Sequence, residues 1–342
     1  MKDSMPGAAN HYSSMERMPT RGCVLCQQGA KMVLFITGVC RRSCWYCPLS
    51  RERKGQDRIY ANEKEISSPE EAVRVAQRMS ALGTGITGGE PLDRIGRVIE
   101  YSCVLKHAFG EEHHVHLYTA RAPGKDTLRK LVGLVDEIRM HPPAECWDHI
   151  RETEFVRAAR HARDMGVCVG FEVPALPNVG ILENALPELD FLTINELEWG
   201  ETNADEMRRR GYVPEDSVHN AVAGSREWAA QICRNPKVRF CSSQFKDSVQ
   251  LRERLIRVAR NTARPFDEVT GEGTVIYGVI ENVEGIPPAI RDYGEDMYEV
   301  REGVVETAWW IVAEERARIG GKKAVIERYP DRGIVVEVVP VP

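Results

Sequence analysis

No apolar run in this chain approaches the roughly 18 residues needed to cross a bilayer, so a membrane-spanning role is not expected. The apolar core of a signal peptide is also missing near the N-terminus. There is no basic surplus either. The 46 Lys and Arg stand against 51 Asp and Glu, a net charge of −5, so nucleic-acid binding would need a local basic patch. Cysteine, by contrast, is plentiful, with ten residues. Without an export signal, that number points to a reducing cytosol and to thiols used for metal rather than for disulfides. A cytoplasmic protein is expected. At 342 residues and 42% hydrophobic, the chain can bury a large core and a smaller second one.

Three of the cysteines crowd into Cys40-Arg41-Arg42-Ser43-Cys44-Trp45-Tyr46-Cys47, directly after the apolar run Met32-Val33-Leu34-Phe35-Ile36-Thr37. Thiolates so closely spaced, on a loop leaving a strand, can converge on one soft metal centre. Three ligands would leave the fourth iron of a [4Fe–4S] cluster without a protein ligand. Such an open iron can take a substrate or cofactor, as the open position of a catalytic zinc does.

A further pair, Cys23 and Cys26, lies upstream. With Cys44 and Cys47 it has the spacing of a zinc ribbon, the basis of an alternative reading as a non-catalytic zinc-ribbon-type binding module. Two features oppose that alternative. The intervening residues 32–37 read as a buried strand rather than short polar turns, and a downstream glycine motif has no role in a ribbon. Cys23 and Cys26 stay open as a second metal site, holding a second Fe–S cluster or zinc, or as reduced thiols.

The glycine motif is Thr87-Gly88-Gly89-Glu90-Pro91, at the end of a strand expected over residues 81–87. Glycines allow close backbone approach to a ligand, and Glu90 can complement an ammonium. One strand and one helix after C-x3-C-x2-C, with Tyr46 before the last cysteine, this motif resembles the radical S-adenosylmethionine (SAM) superfamily. The resemblance implies that Cys40, Cys44 and Cys47 bind a [4Fe–4S] cluster whose open iron chelates SAM. It implies that Gly88, Gly89 and Glu90 hold the amino end of SAM and that Tyr46 presents backbone near adenine. Reductive cleavage would give a 5′-deoxyadenosyl radical that abstracts hydrogen, with electrons from a ferredoxin- or flavodoxin-type donor.

The periodicity predicts six strands, at 32–37, 81–87, 114–119, 137–140, 167–174 and 190–195, alternating with helices. Among the helices are 68–79, opened by Ser68, Pro69 and Glu71, and a long one over 145–165. This pattern is α/β with a parallel sheet. By the resemblance it is a partial (βα)6 radical-SAM-type barrel with a small C-terminal α+β module. The expected organisation is a mobile arm at 1–20, a core at 21–197, a helical extension at 198–264 and the module at 265–342. Within the module a strand is expected at 273–281, a helix at 304–319 and a hairpin about Pro330-Asp331-Arg332-Gly333. Sites in βα folds gather at the C-terminal strand ends, where Thr119, Arg121, His141, Glu172, Asn195 and Glu196 fall.

His113, His114 and His116 read as hydrogen-bonded strand residues rather than metal ligands. Arg254, Arg257, Arg260 and Arg264 form a stripe that would suit RNA or phosphate, or simply a solvated face. Residues 22–48, Asn195-Glu196-Leu197-Glu198, Cys241-Ser242-Ser243 and Lys246-Asp247 resemble an archaeal branch related to pyruvate formate-lyase-activating enzymes. That resemblance brings no settled substrate; the readings are glycyl-radical activation and RNA or cofactor modification, the second favoured slightly by the arginine-bearing C-terminal third, so the substrate is expected to be RNA or protein.

Overall fold

The computed structural model describes residue 15 and residues 18–342. Most of the arm expected at 1–20 lies outside the described residues. The chain forms two compact units. The first holds residues up to Val24, Val33–Val73 and Gly83–Lys246; the second holds Leu25–Met32, Arg74–Leu82 and Asp247–Pro342.

Among the described residues the first sheet has nine strands: β1 (Lys31–Phe35), β2 (Ile59–Ala61), β3 (Lys64–Ile66), β4 (Gly83–Thr87), β5 (His114–Thr119), β6 (Glu137–Met140), β7 (Cys168–Pro174), β8 (Phe191–Asn195) and β9 (Val238–Cys241). Their order is β3-β2-β1-β4-β5-β6-β7-β8-β9. From β4 to β9 every pairing is parallel. The six expected strands are present within two residues of their expected ends, and two additions extend the sheet. A short antiparallel hairpin, β2–β3, pairs with β1 at one edge. At the other edge β9 pairs with β8, so the sheet continues into the stretch expected to be a helical extension.

Strands β5 to β8 are buried almost throughout, as parallel strands covered on both faces must be. The helix expected over 145–165 is broken. A 3-10 segment, Ala144–Glu152, ends at Thr153, whose extended backbone (φ −74°, ψ 163°) starts the α-helix Glu154–Asp164 afresh. Thr153 Oγ1 donates to the Ile150 carbonyl, a local bond that competes with helical continuation.

The second unit carries its own antiparallel sheet, built from β10 (Glu268–Val269), β11 (Val275–Glu281), β12 (Tyr298–Arg301), β13 (Val304–Thr307), β14 (Lys322–Arg328) and β15 (Val335–Val341). The order is β12-β13-β11-β14-β15, with β10 paired to β11. Its core packs Tyr277, Ile280, Ile290, Ile311 and Val312 together. The expected strand and hairpin are there; Asp331 and Arg332 turn the hairpin with positive φ (55° and 62°). The helix expected over 304–319 is corrected. Val304 and Val305 pair across to β11 and β12, and the helix is confined to Trp309–Glu314. Branched residues favour the pleated sheet, and that preference prevails here over the helical spacing.

In the first unit, Asp57 bolts the entry to β2 onto the helix Ile95–Phe109. Its carboxylate accepts from Thr37 Oγ1 (2.7 Å), from Arg97 (2.7 Å) and from Arg94 (3.1 Å). These bonds, the Thr37 hydroxyl first, hold the carboxyl well below the usual carboxylate range. We expect Asp57→Ala to cost about 1 kcal/mol at pH 7, allowing for partial exposure. A depressed folded pKa stabilises above the unfolded value, so the difference from wild type should shrink as the pH falls below about 4. Urea unfolding at pH 7 and at lower pH reads this directly.

Candidate functional site

A cavity of about 560 Å³ opens at the C-terminal ends of the strands of the first unit. The loop after β1 brings Cys40, Cys44 and Cys47 to its wall, and the loop after β4 brings Gly88 and Gly89. The chain after β5 and after β6 adds Ala120 and His141, β7 and β8 add Glu172 and Asn195, and the segment after β9 adds Lys246. Residues separated by two hundred positions thus share one wall because parallel βα units all end at the same edge.

The glycines are there for space. A Cβ on Gly88 would stand 2.3 Å from the Thr37 carbonyl oxygen, and one on Gly89 would stand 2.4 Å from that of Val39. Gly88 also has φ of 155°, which L residues rarely adopt. Backbone bonds lock the two loops: Gly89 N–H donates to Thr37 (2.7 Å) and Glu90 N–H to Val39 (2.9 Å). Glu90 itself is buried, turned toward the end of β5. Its carboxylate accepts from Leu92 N–H (2.9 Å), Thr119 Oγ1 (2.7 Å) and Ala120 N–H (2.7 Å). Burial raises its pKa, against those three bonds.

The cysteine loop is clamped from the segment after β8. Asn203, 1% exposed, donates from Nδ2 to the Tyr46 carbonyl (3.1 Å) and to that of Glu198 (3.0 Å). Thr202 Oγ1 lies 2.7 Å from the Leu49 carbonyl oxygen and 3.1 Å from that of Cys47. Trp45 stacks on Tyr212 with ring centroids 5.3 Å apart, and Arg210 covers its face. His141 Nδ1–H donates to the Glu172 carbonyl (2.8 Å), so its Nε2 accepts from the Tyr46 hydroxyl (2.9 Å). Burial pushes the His141 pKa down, which suits this neutral form, and pushes the Tyr46 phenol up. It likewise raises the Cys40 and Cys44 thiols. Among the described residues, no three His, Cys, Asp or Glu side chains converge as one metal ion would require. Ligands to separate irons of a cluster need not stand that close.

Beneath the cavity lies a polar layer. Arg139, 3% exposed, bonds to Glu137 through Nε (2.5 Å) and to Glu172 (2.6 Å). Its remaining nitrogen reaches Thr20 Oγ1 (3.3 Å) and Cys23 Sγ (3.4 Å). His114 and His116 stand 3.6 and 3.9 Å from Glu137, and His113, just before β5, pairs with Thr84 Oγ1 at 2.9 Å. Cys23 and Cys26 sit three apart on one short helix, Arg21–Gln27. Burial opposes ionisation of Cys23, but Arg139 and Arg239 outweigh it and its pKa is lowered.

Sequence reasoning placed the three cysteines, both glycines, Tyr46, His141, Glu172 and Asn195 at one site. It did not single out Lys246, Glu198, Asn203 or Thr202 for any role there. The clustered polar types in residues 198–203, immediately after a strand, were the available signal. We expect Asn203→Ala, which orphans the Tyr46 and Glu198 carbonyls, to lower stability by about 2–3 kcal/mol in urea unfolding.

Comparison with known proteins bears on what this cavity is. Residues 34–180 match a family model described as the radical SAM superfamily. Residues 273–341 match one described as Domain of unknown function (DUF8061). A protein of Methanocaldococcus jannaschii, provisionally named a glycyl-radical enzyme activating enzyme, is 37% identical over 309 residues, covering 84% of this chain and 78% of the relative. A crystal structure of Streptococcus suis SuiB aligns with 62% of this chain and 49% of its own, about half its length, at TM-score 0.40 and 11% identity. The chain is an enzyme of the radical SAM superfamily, in the branch that includes the Methanocaldococcus jannaschii relative.

Proposed function

We propose that the cavity holds a [4Fe–4S] cluster on Cys40, Cys44 and Cys47, with SAM beside it. The observation that carries this is the meeting of three cysteines and the Gly88-Gly89 backbone on one wall. The donor set fits: three thiols leave one iron open, and a backbone-lined cradle lets a ligand approach closely. When bound, the two supply reductive cleavage of SAM and abstraction of a hydrogen atom from the substrate.

The chain's own residues position and shield that chemistry. Gly88 and Gly89 hold the amino end of SAM. Glu90 shapes their loop and keeps one of a carboxylate's roughly four acceptor positions for the ammonium. Tyr46, fixed by Asn203 and His141, forms the wall beside adenine. Low-potential electrons come from a ferredoxin- or flavodoxin-type donor. We assign no second cluster or zinc to Cys23 and Cys26, because the neighbour of the Cys23 sulfur is a guanidinium, which competes with a metal cation.

For the substrate we favour glycyl-radical activation, as the relative's name suggests. The arginine stripe lends RNA little support. Arg257 donates to the Met79 carbonyl (3.0 Å), and Arg264 is enclosed by Asp267, Glu299 and Glu306. We expect anaerobic reconstitution to give about four irons per chain, and dithionite reduction with SAM to yield 5′-deoxyadenosine. Cys44→Ala should abolish that product with the fold retained. Bound zinc without iron, or an active Cys44→Ala variant, would overturn the assignment.

A further inference from the structure

The cysteine loop and the connection after it carry five cations between residues 41 and 54, and four of them have polar partners. Arg41 meets Asp93 (3.5 Å) and Arg51 meets Glu201 (3.2 Å). Arg53 donates to the Asn62 carbonyl (3.4 Å) and Lys54 to Thr202 Oγ1 (3.5 Å). Arg42 is the exception. Among the described residues its guanidinium has no hydrogen bond and no carboxylate partner; its Cζ lies 5.9 Å from the centre of the Phe155 ring. The residue is half-buried and lines the cavity beside Cys40, Cys44 and Cys47. Its own amide donates to Cys40 Sγ (3.4 Å), which holds it against that wall.

A guanidinium stays charged at all ordinary pH, and taking one partly out of water without a counter-ion costs free energy. The other cations of the cavity differ. Lys246 is paired with Glu198 (2.6 Å), and Lys54 is exposed, where salt and water screen it. We propose that Arg42 holds up the reduction potential of the cluster bound by Cys40, Cys44 and Cys47, bringing it within reach of the electron donor. Three thiolates on a core that passes from 2+ to 1+ leave a net charge of about −1 before reduction and about −2 after. A cation on the same wall therefore stabilises the reduced state more than the oxidised one. Arg42 takes no part in breaking the SAM bond; it acts on the electron that must arrive first.

The inference rests on the cluster proposed above, and the two fail separately. The full chain is reconstituted anaerobically and its iron counted. The cluster midpoint is then read by redox titration followed by electron paramagnetic resonance, with and without SAM. Two neutral variants, Arg42→Gln and Arg42→Met, are compared with Arg42→Lys and Arg42→Glu. SAM affinity is measured on the same preparations by titration calorimetry.

At the wild-type midpoint, the ratio of reduced to oxidised cluster should fall about tenfold in Arg42→Gln, or in Arg42→Met should the first not assemble; for one electron that is a downward shift of ~59 mV. The ratio should fall further in Arg42→Glu and return most of the way in Arg42→Lys, with and without SAM alike. Neutral variants that titrate at the wild-type potential overturn the inference. So does an Arg42→Lys potential as low as that of Arg42→Gln, because the effect would then follow shape rather than charge. A shift seen only with SAM, together with weakened SAM binding, assigns Arg42 to the SAM carboxylate and equally overturns it. A wild type that holds no iron would instead overturn the cluster reading.

Discussion

At Gly88 and Gly89 the backbone leaving β4 lies against the backbone leaving β1 with no room for a Cβ, and both halves of the site hang from that contact. The cysteine loop begins where Thr37 and Val39 accept the Gly89 and Glu90 amides. Any side chain at either glycine would push the cysteines and the cradle apart together. Glu90 extends the same constraint to β5, because its buried carboxylate accepts from the Thr119 hydroxyl and from the Ala120 amide just after that strand. The residue proposed to meet an ammonium thus also ties the glycine loop to the end of β5.

Around this contact the first unit distributes its labour by layer. The C-terminal strand ends carry the cavity, and the layer beneath is polar, with Arg139 between Glu137 and Glu172. Buried charges of this kind cost desolvation and rarely stabilise on balance. Their value lies in orientation: Arg139 holds Glu172, Glu172 holds Asn195, and the Glu172 carbonyl sets the tautomer of His141. The wall of the cavity is therefore set from below.

Much of this was legible in the sequence because it was local. Short cysteine spacing, a glycine pair ending a strand, and alternating strands and helices are signals confined to a few neighbouring residues. What escaped was long-range. Asn203 and Thr202 matter only because the chain after β8 folds back over the cysteine loop, some 155 positions away. Lys246 reaches the same cavity only because β9 adds a strand beyond the expected six. The helix expected at 304–319 failed for a related reason. Pairing with β11 and β12 decided the state of Val304 and Val305, and no single-segment periodicity records a partner strand.

The chain enters the second unit three times, at Leu25–Met32, Arg74–Leu82 and Asp247–Pro342. During synthesis the first two segments emerge long before the third. Gly29, for one, waits for the backbone of Arg254, which a Cβ on it would strike. The second unit thus completes only after residues beyond 247 have been made. A chain stopped short of residue 247 would carry two segments whose partner in the second unit was never made.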